Sequence, residues 1–438
     1  MTSLAKAEAR YRALGLAILF LAVLWAGVAL GARSPVPAVH LGDDFQKIQL
    51  GPRVEFLRDP SAKLSLAEVI SPPLVHAFQP HRQESFSRGF EKAAYWLRFR
   101  LEGKKGILAK LNLILAITRP VTDEIDLYVP VGEGRTEKFL HLRSGARYYG
   151  HSDDLGYRLP AVPIPENYRM GSYIYLRIYS QLVHYAVILF NQKSLIRQVR
   201  FDYLFFGITA GIMLAMFLYN LSIALVLRDR VYAYYCIYIS LINLYLCLLS
   251  GWPLGLGLSP GLLLDSILKF HFATLLFAFL FSREFLGTKT KHPRLDITLK
   301  SVAALMAIMF CLSFFVSFNL ANKIAYTGAI PAALILILCA AIRCRQGYKP
   351  ARYYLGAWFS LIFSTIIYAL GSMGFYGYSH WLGNAPYIGG ALESILLSFA
   401  LADRIRAIKL DREILKKREE VLTELSITDD LTGLYNKR

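Results

Sequence analysis

Apolar residues in the second half of the chain are gathered into long runs that short charged segments separate. Each run has about 20 residues, the length that an α-helix needs to cross the hydrocarbon core of a bilayer. Seven runs of this kind lie at positions 204–227, 231–249, 262–281, 302–320, 324–342, 353–376 and 386–402. The pattern therefore predicts a seven-helix transmembrane bundle at residues 201–403.

Residues 33–200 contain no run of that length, and their apolar and polar positions alternate over short segments instead. The alternating segments lie at 95–101, 111–117, 125–129, 174–178 and 183–189, with Gly, Pro, Asn and Asp between them. Alternation with period two predicts half-buried strands. Many strands with such breaks are typical of a β-sandwich, and we predict a jelly-roll-like sandwich as an exported sensor domain.

Three basic residues, Lys6, Arg10 and Arg12, precede the first apolar run of the chain, at positions 14–32. Small residues close this run, which is the composition of an export signal. The run is also long enough to stay in the membrane uncleaved. Residues 1–32 are therefore predicted to be a signal peptide or an N-terminal anchor, and either one exports the domain that follows.

The formal net charge is +18, which could indicate a nucleic-acid partner. The distribution of the charge argues against that interpretation. The loops on one side of the predicted bundle carry Arg228, Arg230, Arg283, Lys289, Lys291, Arg294, Lys300, Arg343, Arg345, Lys349 and Arg352, whereas the opposite loops carry only Lys323. Basic loops mark the cytoplasmic side. We therefore predict a cytoplasmic C-terminus, an exported β-domain, a lipid bilayer as partner and no nucleic acid.

The exported region is rich in aromatic residues and arginines, and it contains no cysteine. No disulfide framework is expected there, and the cysteines of the chain match no metal motif. Surfaces that combine aromatic rings and guanidinium groups suit sugars or carboxylates. The candidate ligand-binding residues are Trp96, Arg98, Tyr128, Arg158, Tyr175 and Arg177. Alternatively, these side chains are cross-strand pairs that stabilise the sheet.

Ionisable residues within the apolar runs are candidates for polar coupling inside the bundle, because charges at that depth usually face its interior. They are Asp265, Lys269, His271 and Glu393. Lys269 and Glu393 each lie about 10 Å from the outer end of their run, at 1.5 Å per residue, so we predict a contact between them. In the alternative, Lys269 pairs only with Asp265, four residues away, and Glu393 is protonated or bonds to Ser394 or Ser398.

Residues 404–427 are charged and predicted to be a helical stalk. Leucine or isoleucine recurs every seven residues, at Leu401, Ile408, Leu415 and Leu422. This spacing predicts a parallel coiled-coil dimer. Charged residues occupy the companion core position at 404, 411 and 418, so a solvated helix that continues the seventh span is the alternative.

The last segment, 428–438, resembles the opening segment of GGDEF diguanylate cyclase domains, Asp-x-Leu-Thr-Gly-Leu-x-Asn-Arg. The matching residues are Asp429, Leu431, Thr432, Gly433, Leu434 and Asn436, and Lys437 replaces the first arginine. The rest of the chain resembles bacterial seven-transmembrane receptors with diverse intracellular signalling modules. The outer domain of that family contains a Trp-Leu-Arg-Phe-like strand, here 96–99, and a Tyr-Leu-Arg-Ile strand, here 175–178.

The resemblance implies a receptor in a bacterial inner membrane that senses an extracytoplasmic small molecule, sugar or peptide. It also implies a homodimer, joined through the stalk, that controls cyclic di-GMP synthesis from GTP. Catalytic residues, Mg²⁺ and GTP are expected only in the remainder of the cyclase domain, beyond the opening segment. The alternatives are a carbohydrate-binding or transport protein of the membrane, and the same sensor with a histidine kinase output.

Overall fold

The structure is a computed structural model that describes residues 36–132, 138–148, 155, 157–180, 182–316, 318–372 and 379–427. The predicted export segment at 1–32 and the GGDEF-like segment at 428–438 lie outside the described residues. All features below belong to the compact unit that begins at Ala38.

The first part of this unit is built from short strands. In chain order they are β1 (Val39–Leu41), β2 (Lys47–Gln49), β3 (Glu55–Asp59), β4 (Gln79–Pro80), β5 (Phe86–Phe90), β6 (Ala94–Gly103), β7 (Ile114–Ile117), β8 (Glu124–Val131), β9 (Lys138–Ser144), β10 (Ala161–Pro163), β11 (Tyr173–Tyr179), β12 (Leu182–Tyr185) and β13 (Val187–Phe190). The larger sheet has the order β4-β3-β6-β11-β8-β9, with β1 parallel to β6. A second sheet has the order β10-β7-β13-β2, and β12 pairs with β5.

The two larger sheets share one hydrophobic core. Alternate residues of β6, β8 and β11 enter it, among them Leu97, Leu127 and Leu176, which are fully buried. The second sheet contributes Leu115 and Leu189 to the same core. Period-two alternation places one face of each strand inside, so the predicted β-sandwich is confirmed.

Two of the predicted strands differ from the structure in extent. The segment 111–117 enters a strand only at Ile114, because Ile107–Leu111 forms a short helix that Asn112 ends with a φ of 46°. The segment 183–189 is divided at Ala186, whose backbone N–H donates to the hydroxyl of Thr118 at 2.8 Å. Its two halves, β12 and β13, consequently belong to different sheets.

Within the described residues, seven long helices follow the sandwich: α1 (Gln192–Leu227), α2 (Arg230–Leu249), α3 (Pro260–Phe285), α4 (Pro293–Leu312), α5 (Phe318–Arg345), α6 (Ala351–Ser372) and α7 (Ala385–Ile427). All seven contain a segment long and apolar enough to cross a membrane. Helices α6 and α7 approach closely at Gly389, where a Cβ atom would lie 2.0 Å from the Ser364 hydroxyl oxygen. The predicted seven-helix bundle is confirmed.

Helix α1 starts directly after β13 and is fixed to the sandwich by its first turn. Asn191 caps the helix, its side-chain oxygen accepting from the N–H of Ser194 at 2.7 Å. The hydroxyl of Ser194 donates to the carbonyl oxygen of Gln46 at 2.5 Å. At the other end of the bundle, α7 runs without a break through the seventh span and the predicted stalk.

Candidate functional site

A buried ion pair connects the sandwich to the first two helices. Arg158 lies just before β10, and its Nε donates to Asp202 Oδ2 of α1 at 2.8 Å, while its Nη2 donates to the same oxygen. Its Nη1 donates to the carbonyl oxygen of Ser250, just after α2, at 3.0 Å. The Arg158 side chain is 7% exposed and that of Asp202 is 1% exposed. One guanidinium group therefore holds both helices against the sandwich.

Three further side chains lie against the Asp202 carboxylate, and two of them donate hydrogen bonds to it. The Tyr157 hydroxyl donates to Oδ2, and burial raises the pKa of this phenol far above its usual range, which keeps it a donor. Gln198 Nε2, one turn earlier on α1, donates to Oδ1 at 2.9 Å. His380, in the helical turn before α7, has its Nε2 at 3.5 Å from Oδ1. Burial lowers the pKa of His380, so this contact does not bring a second full positive charge near neutral pH.

The loop between α2 and α3 packs closely on the sandwich beside Arg158. Gly251 has a φ of 72°, and a Cβ atom there would lie 2.4 Å from Pro120 Cβ and 2.9 Å from the carbonyl oxygen of Arg158. A side chain at this position would both strain the backbone and push the two parts apart. The sandwich and the bundle are therefore joined at this place both by the ion pair and by close packing.

A cavity of about 250 Å³, which we call the junction cavity, lies beside the ion pair. Its apolar wall belongs mainly to the second sheet and includes Ala116, Leu159, Ile188 and Phe190. Polar side chains complete the lining: Lys47, Gln49, Thr118, Tyr157, Arg158, Gln198, Asp202 and His380. The cavity is therefore lined jointly by the sandwich, α1 and the turn before α7, and it is open to solvent at Lys47.

Five of the six candidate ligand-binding residues share one face of the larger sheet. Trp96 and Arg98 lie on β6, Tyr128 on β8, and Tyr175 and Arg177 on β11. Tyr175 is opposite both Arg98 and Tyr128, and Arg177 is opposite Trp96. The sixth candidate, Arg158, is not part of this face, because it lies at the junction with the bundle.

Residues 60–78, which we call the strap, cover that face. Arg98 Nη1 donates to the carbonyl oxygen of Val75 at 2.9 Å, and Arg177 Nη2 donates to that of Ala62 at 2.8 Å. The Arg98 guanidinium carbon also lies 4.3 Å from the centre of the Phe78 ring. Trp96 is consequently 0% exposed.

Both arginines of the face are also paired with carboxylates of the same sheet. Arg98 bonds to Glu55 at 2.5 Å, and Arg177 bonds to Glu124 and Asp126, each at 2.9 Å. These are the cross-strand pairs of the alternative interpretation. In this conformation the strap and the sheet provide hydrogen-bond partners for the guanidinium groups of both Arg98 and Arg177.

The predicted contact between Lys269 and Glu393 is wrong, because each side chain has another partner. Lys269 pairs with Asp265 on its own helix and lies over the Phe314 ring at 4.3 Å. Glu393 is fully buried on α7, and its Oε1 accepts from the Tyr238 hydroxyl of α2 at 2.5 Å. The four intramembrane candidates therefore do not form one network, and His271 packs against the ring of Tyr245.

Further polar contacts hold α7 against α1 and α2. Asn220 Nδ2 of α1 donates to the Ser398 hydroxyl at 2.9 Å, and the Tyr235 hydroxyl of α2 donates to the carbonyl oxygen of Ser394 at 3.0 Å. The Tyr232 hydroxyl donates to the carbonyl oxygen of Leu401 at 3.1 Å. At the end of the bundle, Arg404 bonds to Asp229 at 2.6 Å.

Asp202 and Asn220 were not among the residues that the sequence singled out. Both stand in the sequence as isolated polar residues within or beside an apolar run, which is the signal that could have identified them. The tyrosines of α2 gave no such signal, since an aromatic residue in a span is compatible with lipid or protein surroundings.

Comparison with known families agrees with this architecture. Residues 202–404 match the family model described as 7TM diverse intracellular signalling, and residues 51–188 match the model described as 7TMR-DISM extracellular 2. The chain matched no curated protein. It is a multi-pass membrane protein that carries an extracellular domain and a seven-transmembrane domain of the 7TMR-DISM type. These two domains support a transmembrane receptor with extracellular sensing and intracellular signalling.

Proposed function

We propose that this receptor senses an extracytoplasmic ligand and transmits the signal through α7 to a cytoplasmic diguanylate cyclase. The observation that carries the proposal is the contact of one buried guanidinium group, that of Arg158, with both α1 and the end of α2. Both of these helices bond to α7 through side chains. A shift of the sandwich therefore acts on the helix that becomes the stalk.

A ligand can change the signal only if its affinity differs between two arrangements of the receptor. Packed helices have discrete arrangements, since their side chains interdigitate and do not deform continuously. We propose that the polar contacts between α1, α2 and α7 are the bonds that change between such arrangements. We propose that ligand binding outside selects one arrangement, and that α7 carries it inward as a shift or rotation.

The direction of the signal follows from the number of spans. An extracellular domain in front of seven spans implies that the far end of α7 is cytoplasmic, and the basic loops predict the same side. The proposed location is a bacterial inner membrane. The proposed output is cyclic di-GMP synthesis, on the basis of the GGDEF-like residues 429–436, with Mg²⁺ and GTP bound by the catalytic domain. Two such domains would meet through a dimer of the stalk.

The candidate ligand-binding residues remain part of this proposal. The five on the sheet face would reach a sugar or carboxylate only after the strap has moved, because the strap occupies the Arg98 and Arg177 donors. Arg158, in contrast, lines the junction cavity in the conformation described here.

The proposal is tested with a chimera in which residues 1–427 precede the catalytic domain of a known diguanylate cyclase. Cyclic di-GMP is measured in cells that express the chimera or its Asp202→Asn variant. We expect the variant to change the output at least threefold, because it weakens the junction. The matched control is Asp43→Asn, the same change at an exposed carboxylate that pairs with Lys110 on the sandwich. Equal output from all three proteins, at equal amounts in the membrane, would contradict the proposal.

A further inference from the structure

We propose that the junction cavity binds a small carboxylate with a short apolar body, and that Lys47 holds its negative charge. This inference deepens the proposed receptor function and rests on it for the consequence of binding, whereas the binding itself stands on the geometry of the cavity. Three features of the lining carry it: its size and apolar wall, its charge balance, and the connection of Lys47 to the ion pair.

The size and the wall define the body of the ligand. At about 250 Å³ the cavity is smaller than the pockets of about 300–1,000 Å³ that hold drug-sized ligands. The side chains of Ile188 and Phe190 on β13 and of Leu195 on α1 give it an apolar surface. A short hydrocarbon chain or a small ring fits this surface, and a charged sugar or a peptide does not.

The charge balance defines the head group. Among the described residues that line the cavity, Lys47 and Arg158 are cationic and Asp202 is the only acid. Both Asp202 oxygens already accept bonds, from Arg158 and Tyr157 on Oδ2 and from Gln198 on Oδ1. The lining thus carries one positive charge in excess near neutral pH. A monoanion restores neutrality, and a carboxylate accepts charge-assisted hydrogen bonds from an ammonium group.

Lys47 is the cation that is available for this role. Its Nζ donates to the neutral Gln198 Oε1 at 3.3 Å and lies 5.9 Å from the centre of the Phe190 ring. Arg158, in contrast, is committed to Asp202 and Ser250. A carboxylate gains more from an ammonium group than a neutral amide does, so it can displace Gln198 from Lys47.

The position of Lys47 gives binding a mechanical consequence. Lys47 lies on β2 of the sandwich, whereas Gln198 and Asp202 are one turn apart on α1. Once a ligand takes over Lys47, the Lys47–Gln198 bond between sandwich and helix is lost. The ligand then bridges the two walls of the cavity beside the Arg158–Asp202 pair. The site is therefore built so that its occupant alters the connection between the outer domain and α1.

The test uses the full chain in nanodiscs of zwitterionic lipid, with hexanoate as the probe and hexanamide as its neutral counterpart. Isothermal titration calorimetry, with empty nanodiscs subtracted, should show saturable binding of hexanoate and at least tenfold weaker binding of hexanamide. Lys47→Met should weaken hexanoate binding at least tenfold, and Lys47→Arg should restore most of it. Lys193→Met is the matched control, an exposed lysine of α1 outside the lining, and should bind hexanoate as the wild type does.

Several results would overturn the inference. They are equal binding of hexanoate and hexanamide, hexanoate binding that Lys47→Met leaves unchanged in a folded protein, no saturable binding, and equally strong competition by inorganic phosphate.

The outcomes also separate this site from the receptor function. Hexanoate binding without any change in the output of the cyclase chimera would support the binding site and contradict the transmission of the signal to the stalk. A chimera that responds to Asp202→Asn while the cavity binds no hexanoate would support transmission through the junction and contradict the binding site.

Discussion

Replacing Asp202 with Asn should release the sandwich from the first two helices without unfolding either part. The substitution keeps the shape of the side chain but removes the negative charge that neutralises Arg158, whose side chain is 7% exposed. A buried ion pair that loses one partner costs about 3–5 kcal/mol, because the other charge stays uncompensated. Arg158 keeps its bond to the Ser250 carbonyl oxygen, so we take the lower end of that range.

At about 1.4 kcal/mol per factor of ten, this cost corresponds to opening of the junction about 100 times more often. Hydrogen–deuterium exchange of the full chain in nanodiscs measures it directly. Amides at 157–163 and 248–252 should exchange about 100-fold faster in Asp202→Asn, whereas β6 and β11 should be unchanged. The control Asp43→Asn removes an exposed carboxylate of the sandwich and should leave the junction as it is.

A double variant distinguishes loss of charge balance from loss of packing. Arg158→Met combined with Asp202→Leu removes both charges, so it should exchange more slowly at the junction than Asp202→Asn alone. The reasoning would be refuted by less than a threefold change in Asp202→Asn, or by a double variant that opens as often as the single one.

Three further predictions concern the strap, the bundle core and acid stability. Arg98→Met removes the bond to Val75 and the cation over Phe78, so residues 66–78 should exchange at least tenfold faster, since a hydrogen bond from a charged donor contributes about 1.5–3 kcal/mol; unchanged exchange there would contradict the role of Arg98. Tyr238→Phe leaves the buried Glu393 without its hydrogen-bond donor, whereas Glu393→Gln keeps an acceptor for the Tyr238 phenol. Tyr238→Phe should therefore lower the midpoint of thermal unfolding more than Glu393→Gln does. The opposite order would argue against this pair. Burial lowers the pKa of His81 from 6.5 to about 4, so the unfolded chain binds a proton at His81 more tightly than the folded chain does. Up to about 3 kcal/mol of stability that is present above pH 6.5 should therefore be lost as the pH falls to 4. Thermal unfolding between pH 6.5 and 4 should therefore depend less on pH in His81→Phe than in the wild type, and parallel curves would exclude His81 as the cause.

The period of the apolar pattern was sufficient to predict both the β-sandwich and the seven-helix bundle. Alternation with period two also fixed which residues share a face of a strand, and this is why Trp96, Arg98, Tyr128, Tyr175 and Arg177 lie together. The strap was not predictable in the same way, because residues 60–78 contain only short helical turns and no regular period. Its position depends on tertiary contacts with the sheet.

The failures concern contacts that depend on how the elements pack. Depth along a helix gave similar levels for Lys269 and Glu393, but depth does not give the direction in which a side chain points around the helix axis. Glu393 faces Tyr238, whereas Lys269 faces Asp265 and Phe314. Similarly, the sequence identifies Arg158 as a candidate but not its partner. Asp202 is 44 residues away and lies on α1 of the bundle, whereas Arg158 belongs to the sandwich.

The central claim is that the junction at Arg158 and Asp202 controls the stalk. It is tested most directly by the rate of disulfide crosslinking between two copies that carry cysteine in place of Leu415, a residue that is 62% exposed on α7. The native Cys311, the exposed one of the five cysteines, is changed to Ser in this background. We predict that Asp202→Asn changes the crosslinking rate in membranes at least threefold, while Asp43→Asn leaves it unchanged. Equal rates in the wild type and Asp202→Asn, with the junction shown to be open by hydrogen exchange, would contradict the account.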